Sequence, residues 1–290
     1  MRRKLAWYIA GHLALALVII FFGAPFLWLF FSAFDPKASA EFRIPEKFTL
    51  DWFKAMYEPL GGMPGGVIPL TWIVNSIIIS VSTATLVTFL TIISAYSLTR
   101  YRFKGQEALL SAFVIFRLMP MIVVAIPVVV IYAQIEGIAK AYALNMALLN
   151  TFHGLVLVMS ALILPFTLMI AEGYFRALPV EYEEAAMVDG CSRFVAFMKV
   201  TLPLALPGVA TIWLLSFVTA WGEFLLPLVI MRSPYMYPAS VGIYYWFGMY
   251  GRIEYGRISA FSLLFSFPSV VVFLIARKYL ARGMAGLVTR

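Results

Sequence analysis

Six long apolar stretches alternate with short segments that hold most of the charge, and this alternation organises the sequence. The stretches lie near residues 7–33, 71–98, 107–134, 145–172, 204–231 and 257–278. A helix needs roughly 20 mostly apolar residues to cross a bilayer, because lipid leaves every backbone hydrogen bond to be closed inside the segment. All six stretches meet that length, and the pattern predicts an all-α membrane protein of six transmembrane helices. The first apolar run, Leu5 to Phe34, carries no charged residue and is about twice a signal peptide's apolar core, so it reads as an uncleaved first span. No internal repeat or low-complexity tract interrupts the series, and a single membrane domain accounts for residues 1–290. Most spans hold an interior proline: Pro25, Pro120, Pro127, Pro165, Pro207, Pro227 and Pro268. Membrane helices tolerate such prolines, and a set of kinks that shapes a central cavity is the second reading.

Composition agrees with a membrane location. Hydrophobic residues make up 63% of the chain and charged residues 12%, against about a quarter charged in soluble domains. The net charge of +8 sits in small clusters without interleaved aromatics, which argues against nucleic acid as a partner. Those clusters orient the spans instead. Arg2, Arg3 and Lys4, then Arg100, Arg102 and Lys104, then Arg176, Arg193 and Lys199, and finally Arg277, Lys278, Arg282 and Arg290 all fall on one side. The opposite side has Lys140, Arg232, Arg252 and Arg257. The positive-inside rule places both termini in the cytoplasm of a multi-pass cell-membrane protein. The largest outer loop, 35–70, has mixed charge and ends in GGMPGG at 61–66, a pattern expected to pack as short helices with a flexible turn. A lone cysteine, Cys191, with only His12 and His153 beside it, excludes an internal disulfide and a Cys/His zinc cluster. For the two histidines a satisfied packing role is preferred to a proton relay.

One inner segment stands apart. Residues 181–190 read EYEEAAMVDG, a concentration of acid in a chain otherwise poor in it. Pro179 suits the first turn of a helix, Glu181, Glu183 and Glu184 complement the positive end of its dipole, and Gly190 suits a left-handed cap. The expected element is a helix of two or three turns, far too short to span a membrane. Ala185 and Ala186 would let another protein surface approach its backbone, while the carboxylates set the register. The stretch SRFVAFMKVTLP that follows has the pattern of a helix lying along the membrane interface before the next span. On these grounds a docking helix and an ordinary interfacial loop stand equal.

A resemblance separates them. Glu184, Ala185 and Ala186, then Asp189 and Gly190, then Leu202 and Pro203 with Pro207 and Gly208 behind, resemble in order and approximate spacing the EAA loop of the permease subunits of prokaryotic ABC importers. The resemblance covers most of the chain. It takes in Asn75 and Ser76 in the second span, Arg117 with Met119 and Pro120 in the third, and WGEFLLPLV at 221–229, which is similar to the W-N-E/D-F stretch of the carbohydrate-uptake group. Six spans with both ends inside fit the shorter of that group's two permeases, similar to the maltose-system inner-membrane subunit. The resemblance implies the type I ABC importer permease fold and a sugar substrate, mono- or oligosaccharide. It further implies that Glu181, Glu184, Ala185, Ala186, Asp189 and Gly190 couple to an ATP-binding cassette ATPase dimer, whose closure is carried through the helix to the spans. The other implied partners are a second permease subunit, a different chain, and an extracellular or periplasmic solute-binding protein. ATP and Mg belong to the ATPase, and no cofactor is expected in this chain. In agreement, the sequence has no Gly-Lys dipeptide and hence no GxxxxGK[ST] phosphate loop, so no ATP site of its own and no enzymatic role are expected. Two departures stand out: Cys191 replaces the usual small residue such as alanine, and Gly222 replaces the frequent asparagine, so a polar role at that position does not transfer.

Charges inside the spans mark the expected substrate path. Arg117 lies well inside the third stretch, where a charge costs roughly 2.5–3.5 kcal/mol on insertion scales. It reads either as a helix-locking partner of Glu223, with Glu172 closer to the interface, or as a cavity-lining residue. Trp221 and Glu223 supply an aromatic face and an acceptor, a combination suited to sugar stacking and hydroxyl bonding, though packing is the commoner role of such an aromatic. Asn75, Arg117, Trp221 and Glu223 are the substrate-path candidates. Polyamine, phosphonate and sulfate importers share the EAA loop, so the sugar expectation rests on the fifth-span stretch. An ion-coupled secondary transporter would call for more midplane acids or repeat symmetry, and an intramembrane enzyme for paired carboxylates, a His-rich set or a GxSxG turn.

Overall fold

The structure, a computed structural model, describes residues 2–61, 66–101, 103–247 and 253–288, without the side chains of 2–6, 117 and 278–288. Most of GGMPGG, Arg102 and residues 248–252, Arg252 among them, thus lie outside the described residues. Helices dominate: α1 (Arg2–Phe34), α2 (Asp51–Lys54), α3 (Pro69–Arg100), α4 (Gln106–Arg117), α5 (Met121–Ala141) and α6 (Phe152–Ala177) are followed by α7 (Glu181–Val188), α8 (Arg193–Ala196), α9 (Leu202–Trp221), α10 (Leu225–Ile230), α11 (Ala239–Gly242) and α12 (Tyr255–Val288). Among the described residues there is no strand, and six helical paths are long and apolar enough to cross a membrane: Trp7–Phe34, Pro69–Arg100, Met121–Ala141, Phe152–Ala177, Arg193–Trp221 and Tyr255–Arg277. The chain divides into two compact units, one of Met1–Leu70 with Gly242–Phe267, the other of Thr71–Val241 with Pro268–Arg290.

In the first unit, the segment after α1 is tied down by Asp35. Its carboxylate accepts from the Arg43 guanidinium (Nη2 at 2.7 Å, with Nε bonded to the other oxygen) and from the Lys37 N–H at 2.8 Å, while the Trp52 indole donates to its carbonyl at 2.8 Å. The bonded Arg43 guanidinium holds the Asp35 carboxyl below its ordinary range against the opposing effect of burial. Short helical turns over Asp51–Lys54 and Ala55–Tyr57 realise the short helices expected in this loop.

The second unit is built around α6. Thr151 opens that helix by accepting the Gly154 N–H at 3.2 Å, which is why it starts at Phe152 and not near 145. Leu155, Met159, Ile163, Leu168, Ala171 and Phe175 recur at helical spacing and are buried, placing two apolar clusters along one face. Inside that face the Thr91 and Thr167 hydroxyls bond at 2.9 Å, joining α3 to α6. α6 and α9 approach closely at Gly208, where an added Cβ would lie 2.6 Å from the Tyr174 ring.

Two expected spans are redrawn. The third, 107–134, is two helices: α4 ends at Arg117, and Pro120 disfavours helical backbone at Met119 and brings no N–H to continue the ladder. α5 alone is long and apolar enough to cross a membrane, and Arg117 is the last residue of α4, at the helix break before it. The fifth, 204–231, starts and stops earlier. Ser192 caps the path by accepting the Val195 N–H at 3.4 Å, so the expected interfacial stretch is helically continuous with the span that follows. A widened π turn over Phe197–Thr201 precedes Leu202 and accommodates Pro203, which has no N–H to return to the preceding turn. The path stops at Trp221 because the Glu223 carboxylate accepts the N–H groups of Leu225 (2.9 Å) and Leu226 (3.3 Å), starting α10 afresh.

Candidate functional site: a short acidic helix held by a buried carboxylate

α7 is eight residues long, two turns, and both ends are built locally. Its hydrogen bonding begins with the Glu183 and Glu184 N–H groups on the Val180 carbonyl, each at 3.0 Å, so Pro179 stands just ahead of the helix instead of within its first turn. At the other end Gly190 adopts φ 91°, the left-handed cap expected for it. Its N–H donates to the Met187 carbonyl and the Cys191 N–H to the Ala186 carbonyl, each at 3.0 Å, which satisfies carbonyls a helix end leaves open.

The three glutamates of α7 do different things. Glu181, Glu184 and Ala185 are exposed, as are Asp189 and Gly190 beyond them, and Val188 is 87% exposed. Residues 181, 184, 185 and 188 share one face by helical spacing. Ala186 is half-buried at the edge of that face. Glu183 points the other way and is 2% exposed. Its carboxylate accepts from the Tyr96 hydroxyl, from Arg100 Nε at 3.0 Å and from Thr201 Oγ1 at 3.1 Å. Arg100 is buried with it, and the Tyr96 ring packs on Phe197 with centroids 4.4 Å apart. From the sequence, Glu183 is expected only to complement the helix dipole and Arg100 only to orient the spans, and neither Tyr96 nor Thr201 is singled out; the structure instead buries Glu183 and Arg100 as a pair.

Of the substrate-path candidates, Asn75, Trp221 and Glu223 are each engaged in local hydrogen bonds or packing. Asn75 is 8% exposed and donates through Nδ2 to the carbonyls of Tyr235 (2.8 Å) and Tyr237 (2.9 Å). Trp72 and Ser76 hold the same loop, by an indole bond to the Pro234 carbonyl at 2.7 Å and by accepting the Ala239 N–H at 2.8 Å. From the other side Asn150 Oδ1 accepts the N–H groups of Arg232 and Ser233, each at 2.9 Å. The loop after α10 is therefore fixed by side chains from α3 and from the turn before α6. Trp221 is 5% exposed and stacked on Phe217 (5.5 Å, 22°), and Glu223 caps α10 while its carbonyl accepts the Ser240 hydroxyl at 2.7 Å. Glu172 pairs with Arg176 one turn along α6, and the Arg117 side chain lies outside the described residues. Glu136, near the end of α5, accepts the N–H groups of Leu148 (2.5 Å) and Leu149 (2.6 Å), a further fixed carboxylate that the sequence pattern did not single out. His12 bonds the Tyr8 carbonyl and His153 the Ala147 carbonyl, and among the described residues no group of His, Cys, Asp and Glu is arranged to hold a metal.

The model of the binding-protein-dependent transport system inner membrane component family matches residues 87–286, a range that includes α7 and the whole of α9. The chain belongs to this family. The permease is 29% identical over 273 residues to the diacetylchitobiose uptake system permease DasC of Streptomyces coelicolor, covering 92% of each chain. It is 29% identical over 285 residues to the trehalose/maltose transport system permease MalG of Thermococcus litoralis, covering 95% of this chain and 93% of that one. Its fold matches a chain in the crystal structure of a bacterial ABC transporter involved in the import of the acidic polysaccharide alginate, with a TM-score of 0.77, 17% identity, and coverage of 97% and 98%. The six-helix membrane component expected from the sequence is thus the fold and family found.

Proposed function

We propose that this permease forms half of the translocation pathway of an ATP-driven sugar importer. The observation that carries the reading is the division of α7 into an exposed face of Glu181, Glu184, Ala185 and Val188 and a buried carboxylate behind it. A small acidic face with little side-chain bulk, held rigidly from beneath, suits insertion into a cleft of another protein. The occupant of that role is an ATP-binding cassette ATPase, which supplies ATP and Mg; Asp189 and Gly190 shape the end of the inserted helix. Both termini and α7 lie in the cytoplasm, in keeping with the Lys and Arg distribution. A second, different permease chain completes the pathway, and a solute-binding protein delivers the substrate on the opposite side. A mono- or oligosaccharide is the substrate class, supported by the diacetylchitobiose and trehalose/maltose systems to which the two relatives belong. Asn75, Trp221 and Glu223 frame the loop and helix break assigned to its path, with Arg117 at the second break.

Two measurements test this. Glu184→Lys and Gly190→Ala should each reduce the ATPase that co-purifies with the permease; sugar uptake that persists in the absence of any ATPase sinks the importer reading. Ligand screening of the associated binding protein should return saccharides, and selective binding of a polyamine or an inorganic anion would overturn the substrate class.

A further inference from the structure

α7 packs against α8 and the π turn before α9, and Glu183 is the one residue of this helix that is fully buried. The helix hangs between Leu178 and Ser192 on short linkers, one closed by the left-handed Gly190, and its remaining inward residues, Ala186 and Met187, are only half-buried. Half-buried packing and short linkers leave room for α7 to shift under a push on its exposed face, and a directional buried tie limits that slack. Glu183 is that tie. Its three donors come from two other elements: Tyr96 and Arg100 from the last two turns of α3, and Thr201 from the π turn that opens α9. Charge-assisted hydrogen bonds in a dry site are short, directional and strong, and removing charge from any partner weakens the set. One carboxylate thereby joins α7 to the inner ends of two helices that continue across the membrane.

Resting on the reading of α7 as the ATPase-docking helix, we propose that Glu183 is a positioning residue that transmits displacement of α7 to α3 and α9, separately from docking, which depends on the exposed face carrying Glu184. Docking and transmission are then distinct properties of adjacent residues. A merely supportive Glu183 would lower assembly and uptake together, whereas a transmitting one changes how much sugar moves for each ATP consumed.

The experiment uses the complete importer in liposomes with sugar-loaded binding protein, and reads both the ATPase retained per permease and the sugar transported per ATP hydrolysed. Glu183→Gln keeps the shape and two oxygen-directed hydrogen bonds but removes the charge. It should retain the ATPase while sugar per ATP falls about tenfold or more, the scale of a lost charge-assisted bond. Tyr96→Phe and Thr201→Val each remove one donor and should give intermediate losses of the same ratio. Glu184→Gln should show the reverse pattern, with less ATPase retained and sugar per ATP preserved in the complexes that form. The inference is overturned if Glu183→Gln keeps the wild-type ratio, or if its uptake falls only in step with lost ATPase. Should that variant fail to accumulate, an unchanged ratio in both Tyr96→Phe and Thr201→Val overturns it equally. A wild-type permease that retains no ATPase would instead sink the functional reading beneath it.

Discussion

Arg100 Nε and a carboxylate oxygen of Glu183 lie 3.0 Å apart, joining positions separated by 83 residues in a place where both side chains are withdrawn from solvent. Removing one member of a buried pair strands the other as an uncompensated charge, which costs about 3–5 kcal/mol, whereas replacing both is often close to neutral. Arg100→Met should therefore lower the thermal unfolding midpoint of the detergent-solubilised permease more than Arg100→Met combined with Glu183→Gln. Equal midpoints would mean that the pair contributes no electrostatic coupling to the fold.

Asn75 spends both amide hydrogens on the Tyr235 and Tyr237 carbonyls. Asn75→Ala leaves those carbonyls without that donor, at a cost of about 1–3 kcal/mol. Amide exchange over residues 231–240 should accelerate while exchange in α6 stays unchanged. Altered sugar affinity with unaltered exchange would make Asn75 a substrate contact in place of a loop clamp.

Gly208 allows the Tyr174 ring within 2.6 Å of where a Cβ would stand, whereas at Gly222 the nearest atom, the Val218 carbonyl oxygen, is 3.7 Å away. Gly208→Ala forces the ring or the α6–α9 spacing to shift, an overpacking cost of about 1–3 kcal/mol. Gly222→Ala should be close to neutral. Comparable thermal midpoints for the two variants would show that Tyr174 swings aside freely.

Asp35 links stability to pH. Its carboxyl is held below the ordinary value of 3.8 by the bonded Arg43. A depressed folded value means that the charged form favours the folded state, so this contribution is fully present above the unfolded pKa and is lost as pH falls through the folded one. As pH falls from about 5 to about 2, limited proteolysis of the 35–60 segment should increase in the wild type. Asp35→Asn should be cleaved more readily at the higher pH and show a flatter dependence; parallel profiles would rule the pair out as the source of the pH effect.

Much of the fold was legible in the chain because its signals are local. Apolar runs long enough to cross lipid, and charges confined between them, predict helices regardless of what each helix touches. The far end of α7 was equally legible: Gly190 takes the left-handed cap that its lack of a side chain permits, whereas Pro179 stands just ahead of the helix and not in its first turn. Two span limits were not, because hydropathy is blind to backbone interruption. Leu118, Met119 and Pro120 look as apolar as their neighbours yet end α4, and Glu223 looked like a charge in need of a partner but uses its carboxylate on the N–H groups that start α10.

By itself, then, the sequence determined that this is a six-helix membrane chain with a short acidic helix punctuated at both ends, since those features follow from hydrophobicity and backbone chemistry within a few residues. Only the tertiary structure decided which glutamate is exposed and which is buried. Glu183 and Glu184 are chemically identical neighbours, about 100° apart around the helix. Their roles diverge because Arg100 and Tyr96, distant in sequence, and Thr201, on a widened turn 18 residues away, converge on one side of α7 and leave the other open.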